Sequence, residues 1–341
     1  MIPPWLEAIL CCPVCHGVVS RTAAAYNCAA CARAFPVRYG IPDFRLAPDP
    51  YISIAGEIGK IDSLLSEPGL GFRQLLSAYY VLSPENPPAL HQHYIAAMEG
   101  AVARGAALLR KLSARNSDAK TRTFLDLGAG TAGLTAAASA DFTNVVGVDV
   151  ALRWLLMGRQ RLTELGIDSP LICANAETLP FRSDSFDAVV ADAVLEHVRD
   201  SGKMSAQVQR VLNPGGSFFF TTNNRFSILP EPHVKLLGFG LLPRKSMEWV
   251  ALKLRKTPYR ARLHSRRELR ALFSGIGSVE LPSYEPGELG ARNERLRRIW
   301  ARIGKSNALR LLVGPVVPQY FIYGRKSTER EAAQSDRAMA L

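Results

Sequence analysis

The sequence predicts an α/β protein: a doubly wound sheet, a small cysteine-bearing module in front of it, and helical inserts toward the C-terminus. Three observations carry this. From Thr123 to Thr222, apolar strand-like runs alternate with helix-like stretches. A glycine turn, Gly128-Ala-Gly130-Thr-Ala-Gly133, follows the first of these runs. Near the N-terminus, four cysteines fall as two closely spaced pairs.

The cysteine module comes first. Cys12-Pro-Val-Cys15 and Cys28-Ala-Ala-Cys31 read C-x2-C-x12-C-x2-C. Two such pairs on tight turns bring four thiolates into a tetrahedron around Zn²⁺, a closed set that leaves no position for water and so marks a structural site. Disulfides are disfavoured in the cytosolic setting expected here. Cys11 reads as a bystander, His16 as exposed and Cys173 as a small core residue in an apolar strand.

Residues 47–120 read as a connecting region, punctuated by Pro48, Pro50, Pro68, Pro84, Pro87 and Pro88. Between Ala89 and Ser113 the spacing turns helical, with Ile95, Met98, Val102, Ala106 and Leu109 on one face. A polar stretch, 115–122, marks the boundary of the main domain.

That domain opens with Thr123-Phe-Leu-Asp-Leu running into the glycine turn, then an alanine-rich helix through Ala140. Asn144-Val-Val-Gly-Val-Asp149 is a second strand ending in a carboxylate. This fits a nucleotide-binding βαβ unit, in which glycines admit close backbone approach and the acid accepts from ribose hydroxyls. Asp126 discriminates between ligands. A carboxylate there repels the pyrophosphate of a dinucleotide, whereas S-adenosylmethionine (SAM) has no phosphate and carries a cationic amino group and a sulfonium. A helix follows from Ala151 to Leu165, with Leu152, Leu155, Leu156 and Leu162 inward and Gly166 as its stop. Strands are expected at the start of 171–181, at 185–192, and at the end of 211–222.

Composition sets limits on function. The 341 residues are 48% hydrophobic and 21% charged, enough for a packed core and unlike disordered, collagenous or disulfide-stapled chains. No run approaches the roughly 18–20 apolar residues of a spanning helix. The opening Met-Ile-Pro-Pro-Trp-Leu-Glu lacks the basic and apolar regions of a signal peptide, so an intracellular, cytoplasmic protein is expected. Charge is uneven: between Asn223 and Lys326 there are 21 Lys or Arg against 7 Glu and no Asp. Such a field attracts anions, whether nucleic acid, lipid headgroups or phosphorylated metabolites.

Two resemblances sharpen this reading. Leu6-Glu-Ala-Ile-Leu-Cys-Cys-Pro-Val-Cys-His-Gly, Tyr26-Asn-Cys28 and Phe35-Pro-Val-Arg-Tyr-Gly-Ile-Pro-Asp-Phe44 resemble the small zinc-ribbon proteins that activate methyltransferases in eukaryotes and archaea. Tyr39 stands where bacterial relatives usually carry Asp. In that family the ribbon is a partner or scaffold. Residues 121–224 in turn resemble class I SAM-dependent methyltransferases of the ubiquinone and menaquinone branch, and Gln319-Tyr-Phe-Ile-Tyr-Gly-Arg-Lys326 resembles that family's last strand. The resemblance implies a Rossmann-like SAM-methyltransferase sheet. It gives Asp126, Gly128 and Gly130 the methionine end of SAM, Asp149 the ribose, and Asn175 with Ala176 the adenine edge. Ala132 replaces a common third glycine and Asn175 a common Asp, whose amide oxygen remains available to the adenine amino group.

The domains expected are a zinc ribbon at 1–46, a helical linker or cap at 47–120, and a methyltransferase domain at 121–326. That domain has inserts at 225–276 and 286–318, and a disordered tail follows at 327–341. For catalysis, His197 and Asp192 follow the fourth strand, at the sheet edge where ligands bind. His197 is the candidate base, although Leu-Glu-His-Val is equally a helix start; His233 and Tyr259 are weaker candidates. Leu236-Leu-Gly-Phe-Gly-Leu-Leu242 beside Arg244 and Lys245 suits the inner membrane surface or a lipid-linked anion, and equally a cap packed on the sheet. Three function classes compete. The first is methylation of a small or lipid-linked, anionic metabolite. The second is RNA methylation with the ribbon as a clamp, disfavoured because Ala191-Asp-Ala-Val lacks the Asn/Asp-Pro-Pro-aromatic signature and aromatics are sparse among the arginines. The third is a non-catalytic scaffold.

Overall fold

The computed structural model describes residues 2–115, 123–227, 229–256, 258–281 and 314–328, with residues 298, 305, 306 and 308. The polar boundary from 116 to 122, most of the second insert at 286–318, and the expected tail beyond 328 lie outside the described residues. The chain divides into two compact units, residues 1–191 with 206–217 and residues 192–205 with 218–341.

The first unit opens with helix α1 (Pro4–Ile9) and a four-stranded antiparallel sheet, β1 (Val19–Arg21), β2 (Ala25–Cys28), β3 (Ala34–Arg38) and β4 (Ile41–Pro42), in the order β1-β2-β3-β4. The β3–β4 hairpin pairs Arg38 with Ile41, so its loop is Tyr39-Gly40, with φ of 51° and 77°. A two-residue hairpin loop with both φ positive favours Asn or Asp before Gly, which explains why Asp is the usual residue at Tyr39. Here the Tyr39 hydroxyl donates to Asp62 at 2.6 Å instead. Tyr26 and Phe35 flank Phe44, with ring centroids 5.3 and 5.0 Å from it, and supply the aromatic core that so small a sheet needs.

Helices follow: α2 (Ile54–Leu65), α3 (Phe72–Val81), α4 (His91–Glu99) and α5 (Ala101–Arg115). The first two were hidden by the proline punctuation. Ser53 caps α2 by accepting from the Gly56 N–H at 3.1 Å. The single helix expected over 89–113 is two, because α4 ends on Gly100 and α5 starts against the sheet domain. A Cβ at Gly105 of α5 would lie 2.8 Å from the Leu134 Cα, and one at Gly133 would lie 2.4 Å from the Ala101 Cβ. Small residues on both sides let this crossing close.

The sheet domain runs β5 (Thr123–Leu127), α6 (Gly133–Ala138), β6 (Asn144–Asp149), α7 (Leu152–Glu164), β7 (Leu171–Cys173) and β8 (Phe186–Asp192). Strands β5, β6, β7 and β8 pair in parallel, with β5 flanked by β6 and β8. Leu152, Leu155, Leu156 and Leu162 of α7 are all buried, as their spacing predicts. Met157 of α7 joins Leu64, Phe72, Leu75, Leu76, Tyr79, Tyr80 and Ile95, so α2, α3 and α4 share a core with it. The cysteine module is anchored on the same unit. Cys11 N–H donates to Pro180 at 2.9 Å, Phe44 N–H to Cys173 at 2.7 Å, and Asp43 bridges Cys173 in parallel.

A buried charge cluster ties these parts together. Arg45 donates from Nε and Nη2 to both Asp43 oxygens at 2.8 Å and from Nη1 to Glu57 at 2.6 Å and the Val150 carbonyl at 3.0 Å. Arg153 Nη1 meets Glu57 at 2.8 Å and Asp49 at 2.7 Å.

Helix α8 (Ser201–Val211) leads into β9 (Leu212–Asn223), whose residues fall in both units. The second unit adds α9 (Arg244–Arg255), α10 (Arg266–Phe273), β10 (Gly277–Glu280) and β11 (Gln319–Lys326). Ser265 and Glu268 form a capping box that starts α10. Phe218 and Phe220 pack on Phe273, while Phe219 stacks on Tyr323 at 4.4 Å. Strand β10 pairs antiparallel with β11. The sheet order β10-β11-β9-β8-β5-β6-β7 is that of a mixed, seven-stranded Rossmann-like sheet.

Replacing Arg45 with Met should cost about 3–5 kcal/mol, because Asp43 and Glu57 are left as uncompensated buried charges. A lowered urea midpoint with unchanged slope checks this. Arg21→Met, which breaks an exposed pair with Glu7, should move stability by less than about 1 kcal/mol.

Candidate functional site

Strand β5 delivers Asp126 near its C-terminal end, buried and accepting from the Thr135 hydroxyl at 2.6 Å. The chain then turns through Gly128 and Gly130 at φ 84° and 51°. Gly128 and Ala129 N–H both donate to the Val148 carbonyl, at 2.7 and 2.9 Å, which pins the turn to β6. A Cβ placed on Gly130 would meet nothing within 4 Å, so the turn faces open space on that side. Ala132 takes φ 57° as the cap of α6 and packs beneath Gly158 of α7, where a Cβ would lie 2.9 Å from the Ala132 Cβ. The glycine missing at 132 is thus matched by one at 158.

Asp149 ends β6. Its Oδ2 accepts from the Gly130 N–H at 2.8 Å and its Oδ1 from the Ala151 N–H at 2.7 Å. Burial pushes its carboxyl above the usual range, against these two N–H donors. The carboxylate and the glycine turn are therefore one hydrogen-bonded unit 19 residues apart in sequence.

Asn175 meets the segment that leaves the cysteine module. Its amide oxygen accepts from Leu46 N–H at 2.8 Å and Ala47 N–H at 3.1 Å, and its Nδ2 donates to the Ala47 carbonyl at 3.0 Å. The amide oxygen, the atom offered to the adenine amino group in the sequence reading, is thus met by two N–H groups of the segment leaving the cysteine module. An Asp could accept the two N–H groups but would repel the carbonyl, so the amide is the residue that fits. Ala176 beside it is half-buried. Sequence reading missed Leu46 and Ala47 because they act through backbone groups.

The thiols of Cys12, Cys15, Cys28 and Cys31 lie within 4.8 Å of one another. Cys12 and Cys31 are 3.6 Å apart and Cys15 and Cys28 3.5 Å. The backbone N–H of Cys31 brings the Cys28 thiol down to about 7, favouring the thiolate. Cys11 stands outside the cluster, pushed up to about 11 by burial, and His16 is exposed.

In the second unit, residues 193–199 form turns, not the helix start read at Leu-Glu-His-Val, and α8 begins at Ser201. Asp192 is exposed and accepts from the Thr221 hydroxyl. Glu196 is fully buried, accepting from Thr222 Oγ1 and Asn223 Nδ2, both at 2.8 Å. His197 Nε2 lies 3.3 Å from His233 Nε2, and His233 Nδ1 contacts Glu231 at 2.5 Å. The Tyr259 hydroxyl donates to the same Glu231 oxygen at 3.3 Å. His197, His233 and Tyr259, separate candidates in the sequence, are brought together by Glu231, whose Pro-Glu-Pro-His setting gave no periodic signal.

Residues 125–220 match a family model described as a methyltransferase domain. The ubiquinone/menaquinone biosynthesis C-methyltransferase UbiE of Enterobacter sp. (strain 638) is 39% identical over 129 residues, covering 36% of this chain and 51% of that protein. UbiE of Escherichia coli O1:K1 / APEC is 38% identical over the same length. The chain thus spans about half the length of the curated relatives it matches. Among solved structures, the YcgJ protein of Bacillus subtilis aligns over 66% of this chain and 98% of its own, at 20% identity and a TM-score of 0.46.

Asn175→Asp should destabilise the contact with residues 46 and 47 by about 1–3 kcal/mol, since one donor is lost and a charge faces the Ala47 carbonyl. Faster amide exchange at Leu46 and Ala47 than in the parent is the expected readout.

Proposed function

We propose that this chain, whose residues 125–220 form a class I methyltransferase domain, transfers a methyl group from SAM to a small or lipid-linked, anionic acceptor. The observation that carries the reading is the pairing of a buried acid, Asp126, with a glycine turn held at 2.8 Å by a second acid, Asp149. Two carboxylates at this turn repel a dinucleotide pyrophosphate and suit a cationic amino group at one end and ribose hydroxyls at the other. SAM supplies an electrophilic methyl on a sulfonium. Asp126, Gly128 and Gly130 would hold its methionine end and Asp149 its ribose, exchanging the Gly130 N–H for hydroxyl donors. Asn175 would act at the adenine edge indirectly, by fixing Leu46 and Ala47, with Ala176 alongside.

His197 is the group we assign to accept a proton where the acceptor must lose one, and Asp192 is assigned to the same loop's polar lining. Four thiols in a closed set fit a structural Zn²⁺ held by Cys12, Cys15, Cys28 and Cys31. A lipid-linked acceptor and contact with the inner membrane surface are supported by exposed apolar side chains in the second unit. There Leu237 is 72%, Leu241 70% and Trp249 61% exposed, with the Lys253 ammonium 4.7 Å from the Trp249 ring. Among the described residues no helix is long and apolar enough to cross a membrane.

Calorimetry should show binding of SAM and none of NAD, and Asp149→Ala should weaken SAM roughly 10- to 150-fold, the loss of charge-assisted hydrogen bonds worth about 1.5–3 kcal/mol. Binding of NAD without SAM overturns the assignment. Purified protein should carry one Zn²⁺ per chain, lost in Cys28→Ser. Labelled methyl transferred from SAM into cell extract should enter lipid or soluble-metabolite fractions; label confined to RNase-sensitive material would replace this reading with RNA methylation.

A further inference from the structure

We propose that a cleft between the cysteine module's sheet and the C-terminal half of α7 binds a small monocarboxylate with an apolar tail, held by Arg159 and the Tyr26 hydroxyl. All of its lining residues belong to the first unit. Pro170 and Leu171, at the start of β7, form part of its wall, whereas Asp149 and the glycine turn lie at the carboxyl ends of their strands. The proposal therefore does not rest on the methyltransferase reading.

The cleft has a volume of about 240 Å³, below the roughly 300–1,000 Å³ of drug-sized sites, so its ligand is small. Val37, Ile41, Pro42, Leu162, Ile167 and Leu171 give it apolar walls, against which a hydrocarbon tail is removed from water. Tyr26 supplies the first polar group. The residue is 2% exposed, with its ring 5.3 Å from that of Phe44, and among the described residues nothing hydrogen-bonds to its hydroxyl. Buried phenols ordinarily have a partner, because a hydroxyl taken out of water without one is destabilising. Arg21, opposite Tyr26 on the neighbouring strand, lines the same cleft and, with Glu7, sets the charge around this hydroxyl. Burial pushes the Tyr26 phenol above its ordinary value, so it stays neutral and donates.

Arg159 supplies the charge. Its Nη1 donates to the Tyr39 carbonyl, under the Tyr39-Gly40 turn, and a Cβ at Gly40 would lie 2.9 Å from that nitrogen. Arg159 is exposed, and among the described residues no carboxylate pairs with it. A guanidinium presents a flat fork of donors that matches a carboxylate through two parallel N–H···O bonds. Arg21 is already engaged by Glu7 at 3.1 Å. The exposed Asp168, also in the lining, opposes an anion here. That acid disfavours a phosphate dianion more than a single carboxylate, and a cationic ligand would instead face Arg159. One negative charge with an apolar body is the chemistry that suits the guanidinium, the phenol and the walls together.

The test titrates the full ¹⁵N-labelled chain with hexanoate, using hexylamine as the cationic control. Saturable amide shifts should centre on Gly40, Ile41 and Thr163. Arg159→Met should weaken hexanoate roughly 10- to 150-fold through the loss of charge-assisted hydrogen bonds. Tyr26→Phe should weaken it about 2- to 10-fold. The same substitution should leave the urea midpoint of the ligand-free chain unchanged or raised, since the hydroxyl it removes has no partner there. Asp168→Asn should tighten hexanoate. Absence of a saturable shift, equal binding of hexylamine, or an affinity unmoved by both Arg159→Met and Tyr26→Phe overturns the site. Weaker binding in Asp168→Asn overturns the anionic ligand, and a lowered urea midpoint in Tyr26→Phe overturns the role of the hydroxyl. Should Arg159→Met fail to fold, Tyr26→Phe and Asp168→Asn decide, and an affinity unchanged in both overturns the proposal.

Discussion

Glu57 is a fully buried carboxylate that two guanidiniums share, and the first unit is organised around it. Arg45 reaches it from the strand-like segment that leaves the cysteine module, and Arg153 reaches it from the first turn of α7. Asp43 and Asp49 balance the far sides of the two arginines, and Arg38 adds a third guanidinium at 3.3 Å from Asp43. Ions this deep cost several kcal/mol each to desolvate, so the cluster persists only when every partner is in place. Its value is specificity of arrangement. The Arg45–Glu57 and Arg153–Glu57 pairs hold the module's exit segment, helix α2 and the sheet domain in one register.

That register has a consequence at the carboxyl ends of β6 and β7. Asp43 and Phe44 pair with Cys173, and two residues later the chain is caught by Asn175. Asp49 is close enough to Asp149 to raise its carboxyl, while Arg153 opposes it. The segment that exits the cysteine module thus borders the acid proposed for the ribose. In this chain the ribbon-like module is built into the wall of the sheet domain rather than tethered beside it.

The second unit follows a different logic. Its stability comes from aromatic stacking of Phe218, Phe219 and Phe220 on Phe273 and Tyr323, and from the apolar group of Val234, Phe239, Met247, Ala251, Tyr259 and Leu263. Polar groups are placed within that frame by backbone donors. Glu231 is oriented by two successive N–H groups before it meets any side chain. Orientation of this kind sets protonation states, because it decides which atom of each neighbour must carry the hydrogen.

Much was determined by the sequence alone. Continuous apolar runs and the 3.6-residue spacing of Leu152, Leu155, Leu156 and Leu162 marked strands and helices, since local burial has a local pattern. The spacing of Cys12, Cys15, Cys28 and Cys31 foretold their convergence because the two tight turns need no distant partner. The glycine turn was legible because it follows an apolar strand and precedes a helix within one βαβ unit. What only the tertiary structure decided are contacts between residues far apart in the chain, which leave no periodic trace. Asn175 was read at the adenine edge, and the fold brings its amide oxygen to the N–H groups of Leu46 and Ala47, 129 and 128 residues away. His197 and His233, 36 residues apart, come within 3.3 Å, with Glu231 on the other ring nitrogen of His233. A sequence specifies which groups are available; long-range packing chooses their partners, and hydrogen-bond chemistry, being directional and saturable, follows that choice.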